Sequence, residues 1–184
     1  MFVQPIHGKG VRVIWLKGET DMLGALEEVE SFGEFAKRNN AVASTDVKSF
    51  DHLICTEQLS RRLGFRVGEE LIRVVRVRSL NGNARQVDHG YFLASIAKGL
   101  TPEIAADSIY GYLEHKRGVK VMASRRTVSV ELANDEDCSY LDLGKYNCVA
   151  VMESQSYTSD GILFEVTHTR THPEIFHYRV NSKR

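Results

Sequence analysis

The stretch Leu71–Phe92, LIRVVRVRSLNGNARQVDHGYF, decides how this chain is read. It holds two β-prone runs joined by Asn81-Gly82-Asn83, residues that tolerate the left-handed backbone of a hairpin turn. Side chains alternate along a strand, so Arg76 and Arg78 share a face with Ile72 and Val74, while Val75 and Val77 face the other way. Two guanidiniums side by side on a partly apolar face repel unless an anion lies between them. Phosphate or carboxylate suits their planar fork. The plainer reading is two solvated arginines on an open face. The position of Asp88 depends on the turn. A two-residue loop pairs residue 76 with residue 87 and sends Asp88 to the opposite face. A three-residue loop pairs 76 with 88 and sets the carboxylate beside the arginines.

Hairpins recur outward from this segment. Residues 2–6 and 11–16 flank a glycine turn at His7–Gly10, a pair too small to be stable alone. Residues 21–40 carry apolar side chains at three-residue steps (Leu23, Leu26, Val29, Phe32, Phe35), which predicts a helix closed by Asn39-Asn40. A strand over 42–54 follows. Thr56 then caps a short helix that Gly64 ends. Thr101-Pro102 opens a helix running to Arg117, with Gly118 as its stop. Strands are expected over 119–132, 148–157, 162–171 and 175–180, with a short helix starting at Asn134. Adjacent antiparallel strands with helices inserted between pairs read as α+β, an antiparallel β-sheet flanked by helices.

Composition narrows the function. The chain has 184 residues, 42% hydrophobic and 26% charged, which is the profile of a globular domain. Its 24 basic and 24 acidic residues cancel, so it lacks the charge signature of a nucleic-acid binder. No apolar run is long enough to span a membrane. The cysteines, Cys55, Cys138 and Cys148, are odd in number and widely spaced. They read as free thiols in a reducing, cytoplasmic setting. No nucleotide-binding, nucleophile-elbow or metalloprotease motif is present, and no catalytic residue, cofactor or metal is expected. His168 and His172 are four apart, but in a strand that spacing separates them.

The runs RVVRVRSLNGNARQVDHGYFL, DSIYGYLEHKRGVKV and LFEVTHTRTHPEIFHY, in that order, resemble the UTRA effector-binding domain of GntR-type bacterial transcription regulators of the HutC subfamily. The segment TVSVELANDEDCSYLDLGKYNCVAVM is similar to trehalose-operon repressors. The opening HGKGVRV resembles the wing hairpin of a winged-helix DNA-binding domain. Residues 1–17 are therefore expected to be a remnant of that domain, and residues 18–184 the UTRA effector-binding and dimerisation domain.

The resemblance implies a chorismate-lyase-like fold with the ligand in a cleft. It implies that Arg76, Arg78 and Ser108 hold a sugar phosphate, with Tyr110 close by. Asp88 and Glu165 would contact sugar hydroxyls, and Ser31 would touch the ligand. Thr171 stands where these members have a tyrosine, and His172 and Glu174 where they have arginine and aspartate. Tyr110 also reads as a core residue, and Glu165 as a cross-strand salt-bridge partner. The implied function is that of a homodimeric repressor, not an enzyme, whose small-molecule effector alters affinity for operator DNA. The alternative is a chorismate-lyase-like enzyme on the same fold.

Overall fold

The computed structural model describes residues 3–8, 10–13, 23–24 and 30–178. Strands β1 (Val3–Ile6) and β2 (Gly10–Val13) form the expected antiparallel hairpin. Leu23–Gly24 is a short strand, β3, not part of a long helix. The helix of this region, α1 (Phe32–Arg38), starts only at Ser31. There Ser31 and Glu34 form a reciprocal capping box, which satisfies two amide donors and fixes the start of the helix. Residues 21–22 and 25–29 of the span expected to be helical lie outside the described residues.

Then follow β4 (Ala43–Ile54), α2 (Glu57–Leu63), β5 (Glu70–Leu80), β6 (Asn83–Leu93), α3 (Pro102–Asp107), α4 (Ile109–Arg117), β7 (Val121–Leu132), α5 (Asp135–Tyr140), β8 (Cys148–Thr158) and β9 (Leu163–Thr171). A 3₁₀ turn, Pro173–Ile175, and a two-residue strand β10 (His177–Tyr178) stand in the span expected as a strand over 175–180, of which residues 179–180 lie outside the described residues. β10 pairs in parallel with β3. The expected single helix over 102–117 is broken at Ser108, whose extended backbone ends α3 and caps α4.

Six strands form one antiparallel sheet in the order β4-β5-β6-β9-β8-β7. One face, the front, packs Ile72, Val74 and Phe92 against Ala105, Ile109 and Leu113 of α3 and α4. Near the turn end of β5, Leu80 meets Ala36 of α1 and Ile175. On the back face, Val75, Val87, Val149 and Val151 pack against Leu141 and Leu143, which follow α5. Helix α2 lies across the other end of the back. Alternation along each strand thus separates front side chains from back ones by residue parity.

The β5–β6 hairpin combines both loop alternatives. Leu80 pairs with Asn83 across a two-residue turn, with Asn81 at φ 51° and Gly82 at φ 81°, the left-handed pair of a type I′ turn. One residue is then absorbed by a bulge: Ser79 pairs with Ala84, but Arg78 pairs with Gln86. The Arg85 carbonyl at the bulge accepts from the His172 amide. The register beyond the bulge sets Arg76 opposite Asp88, on the front.

Gly90 lies one front-face step from Asp88. A Cβ there would come within 2.7 Å of Cε2 of Phe92, which is fully buried. The ring has no room to retreat. Gly90→Ala is therefore expected to cost about 1–3 kcal/mol by overpacking, read as a lower urea midpoint at unchanged slope.

Candidate functional site

A cavity of about 380 Å³ opens on the front, above β5, β6, β9 and β8 and beneath α1 and the start of α4. Its wall includes the eight residues expected to bind the effector: Ser31, Arg76, Arg78, Asp88, Ser108, Tyr110, Glu165 and Thr171. Sheet register brings them together, since Arg76, Asp88 and Thr169 form one row across β5, β6 and β9.

The arginines do not lie on an open, solvated face: Arg76 is buried and the Arg78 side chain is 16% exposed. Arg76 is 4% exposed and Asp88 2%. Asp88 Oδ2 accepts from Arg76 Nε at 3.0 Å and Nη2 at 2.5 Å, and from Arg78 Nη2 at 2.9 Å. Its Oδ1 accepts from the Thr169 hydroxyl at 2.8 Å. The anion that the arginine pair requires is thus supplied within the chain, and the cluster keeps one positive charge in excess. Asp88 is the arginines' counterion, with both oxygens engaged, and it also lines the cavity. Burial raises its pKa, but Arg76, Arg78 and the Thr169 hydrogen bond outweigh burial and hold the carboxyl well below the usual range.

Arg78 is the less satisfied guanidinium. Among the described residues its buried Nε has no hydrogen-bond partner, and its Nη2 donates to Asp88. Its carbon centre lies 5.2 Å from the ring centroid of Phe32, which holds it by cation–π attraction. Phe32 was absent from the sequence candidates; its position directly after the Ser31 cap is what brings it here.

Farther along the sheet, Tyr110 donates to Glu165 at 2.5 Å and shares a hydrogen bond with Ser156. Glu165 is 5% exposed and has no salt-bridge partner among the described residues, which removes the cross-strand ion-pair reading. Burial pushes its carboxyl pKa up, against the hydrogen bonds from Tyr110 and Ser156. Burial likewise raises the Tyr110 phenol, reinforced by Glu165. Tyr110 also packs against Phe164, so it serves core and cavity together. Ser108 caps α4: its Oγ accepts from the Gly111 amide at 3.0 Å. Thr171 accepts from Gln86 Nε2. A run of hydroxyls (Ser154, Thr167, Thr169, Thr171) lines the rest of the floor, and Arg126 enters from β7.

His172 and Glu174 lie away from the cavity wall. His172 is buried, hydrogen-bonded to the Asp142 carbonyl and edge-on to Tyr146, while Glu174 pairs with Arg85 at 2.9 Å. His168 sits on the back, so the two histidines make no joint site. Cys55 is buried, and burial pushes its thiol pKa up, in keeping with a structural residue. Among the described residues no His, Cys, Asp and Glu group converges as metal ligands.

Such a cavity can bind a small anion with hydroxyl groups. A model of the UTRA domain matches residues 38–177, which include the whole front sheet and the wall of this cavity from Ala43 onward. The chain belongs to the UTRA domain family. It is 27% identical over 177 residues to the HTH-type transcriptional regulator TreR of Bacillus subtilis, covering 96% of this chain and 73% of TreR. It is 31% identical over 143 residues to the regulator YydK of the same organism, covering 75% of this chain and 57% of YydK. A solved structure of the TreR effector-binding domain superposes with a TM-score of 0.68 at 27% identity, covering 77% of this chain and 98% of that one. The YydK crystal structure shares the fold, with a TM-score of 0.78 at 23% identity over 98% of this chain and 76% of that one. This UTRA domain is thus TreR-like and of the kind that transcriptional regulators carry. No helix among its described residues is long and apolar enough to cross a membrane.

Proposed function

We propose that this UTRA domain is the effector sensor of a GntR-type repressor and that its effector is a sugar phosphate. Arg76, Arg78 and Ser108 receive the phosphate, while Tyr110, Glu165, Thr171 and Ser31 face the sugar. The observation that carries this reading is Arg78, a largely buried guanidinium whose Nε finds no hydrogen-bond partner among the described residues, beside a cluster already one charge in excess. A phosphate oxygen satisfies that donor in a site shielded from water, where a charge-assisted hydrogen bond is strongest. Residues 1–17 act as the wing of the DNA-binding head, and the hairpin of β1 and β2 supports this. The protein works as a cytoplasmic homodimer with operator DNA as its second partner. Effector binding shifts the placement of the two heads, with a coupling of about 1–3 kcal/mol that is reciprocal between ligand and DNA.

The test is a thermal-shift and calorimetric screen with trehalose 6-phosphate and N-acetylglucosamine 6-phosphate, with the unphosphorylated sugars and small organic acids as controls. A phosphorylated sugar is expected to raise the melting temperature while its parent sugar does not. Arg78→Ala is expected to weaken that binding by about ten- to a hundredfold, the loss of one charge-assisted hydrogen-bonding group, with the fold retained. Unchanged affinity in Arg78→Ala contradicts the assignment.

A further inference from the structure

The back of the sheet carries a cavity of its own, about 540 Å³, in the trough between α2 and the start of α5. Two cross-strand rows make its floor. Tyr91, Val166 and Gln155 stand side by side on β6, β9 and β8, and two residues along, His89, His168 and Glu153 do the same. The rows lie about 7 Å apart, two residues of strand rise. Charge is sorted between them. Over the first row, Arg62 of α2 donates to the Tyr91 hydroxyl at 2.9 Å, with its carbon centre 5.5 Å from the ring centroid. It has no carboxylate partner among the described residues. Arg73, beside Tyr91 on β5, adds a second guanidinium, whose own acid is the half-exposed Asp51. Over the second row, Glu136 of α5 lies 2.9 Å from His89 Nε2. Glu153 has no hydrogen bond or ion pair among the described residues. Burial first, then Arg170, lowers the His168 pKa, so that ring adds no charge at neutral pH.

We infer that this trough is a second ligand site and that it takes a free amino acid with an apolar or aromatic side chain. The carboxylate goes to Arg62, the ammonium to Glu136 and Glu153, and the side chain onto Tyr91 and Val166, both buried in the floor. The reason is the pair of separated poles. On the front, Asp88 closes the arginines within the chain. On the back, no ion pair joins Arg62 to either acid, although all three line one concavity. A simple anion drawn to Arg62 meets two carboxylates in the same space, and a simple cation drawn to Glu153 meets two guanidiniums. Each is penalised by the opposite pole. A zwitterion answers both, and its charge-assisted hydrogen bonds replace those it made with water. An apolar strip with a few convergent polar groups is the usual build of a small-molecule site. The sheet lies between this trough and the front cavity, so the inference stands apart from the sugar-phosphate reading.

The experiment is calorimetry of the full chain with L-leucine and L-phenylalanine, set against N-acetyl-L-phenylalanine and L-phenylalaninamide, which each lack one of the two charges. Millimolar or tighter binding is expected for at least one free amino acid and for neither derivative. Arg62→Ala and Glu153→Gln are each expected to weaken it about tenfold, the loss of one charge-assisted hydrogen-bonding group. Both side chains are exposed, so the circular dichroism spectrum and melting temperature of the ligand-free variants are expected to change little. On binding, the imidazole NMR signals of His89 and His168 are expected to shift and those of His172 to stay. Arg78→Ala, which removes a guanidinium of the front cavity, is expected to leave the amino-acid affinity unchanged. No millimolar binding, equal binding of either derivative, or an affinity indifferent to both Arg62→Ala and Glu153→Gln overturns the inference, whatever the sugar-phosphate screen returns.

Discussion

Asp88→Ala is expected to lower the free energy of unfolding by about 3–5 kcal/mol, the usual consequence of removing one partner from a buried ion pair. The carboxylate neutralises two guanidiniums at once, and Arg76 has no other acidic partner among the described residues. Without it, both cations repel each other in a site that excludes water, and the Thr169 hydroxyl loses its acceptor. Urea unfolding followed by circular dichroism reads the loss, and a change below about 1 kcal/mol contradicts the account. A second readout separates this site from a generic core defect. Inorganic phosphate is expected to raise the melting temperature of Asp88→Ala more than that of the unsubstituted chain, because the vacated space lies between two unneutralised arginines. The same group sets the acid limit. Its folded pKa is depressed, so the stability it contributes is fully present above the unfolded value of about 4. It is lost progressively as pH falls below that value toward the folded one.

Asp137→Ala is expected to cost a similar amount, about 3–5 kcal/mol, from the back of the sheet. Asp137 is completely buried and accepts from Arg170 Nε with both oxygens, at 2.9 and 3.0 Å. It also receives the Asn134 amide at 2.9 Å, completing the capping box of α5. One carboxylate thus ties a helix start to β9. Asp137 first, then Glu131, raises the Arg170 pKa, and Glu131 is half exposed and cannot take over the role. Asp137→Asn keeps the volume and an acceptor for the cap but loses the charge, and is expected to fall between the two. Thermal and chemical denaturation measure the series. Affinity of the folded protein for a sugar phosphate is expected to stay unchanged, since Arg170 lies on the face opposite the cavity.

Much of this molecule is legible in its residues. Thr56, Gly64, Thr101-Pro102 and Gly118 end their helices where expected, because caps and left-handed glycines act over a single turn of backbone. Alternation placed Arg76 and Arg78 on one face, and the candidate residues do converge on one cavity wall. Three features were not legible. Among its described residues, the span expected to be helical from residue 21 holds a strand at Leu23–Gly24 and a helix over Phe32–Arg38, because apolar spacing alone does not reveal which residues find a partner surface. Ser108 splits a continuous helical pattern, since a serine reads equally well inside a helix and at its cap. The role of Asp137, in the short helix expected from Asn134, was hidden because its partner Arg170 lies 33 positions away on a strand.

The order of local letters determined the antiparallel class, the turn at Asn81-Gly82 and the shared face of the two arginines, all consequences of backbone geometry over a few residues. Only the tertiary structure decided that Asp88 faces them. A one-residue bulge at Arg85, with its carbonyl taken by the His172 amide, shifts the register after a two-residue turn. Helices α1 and α3 then close over the front and exclude the water that would otherwise have separated the charges.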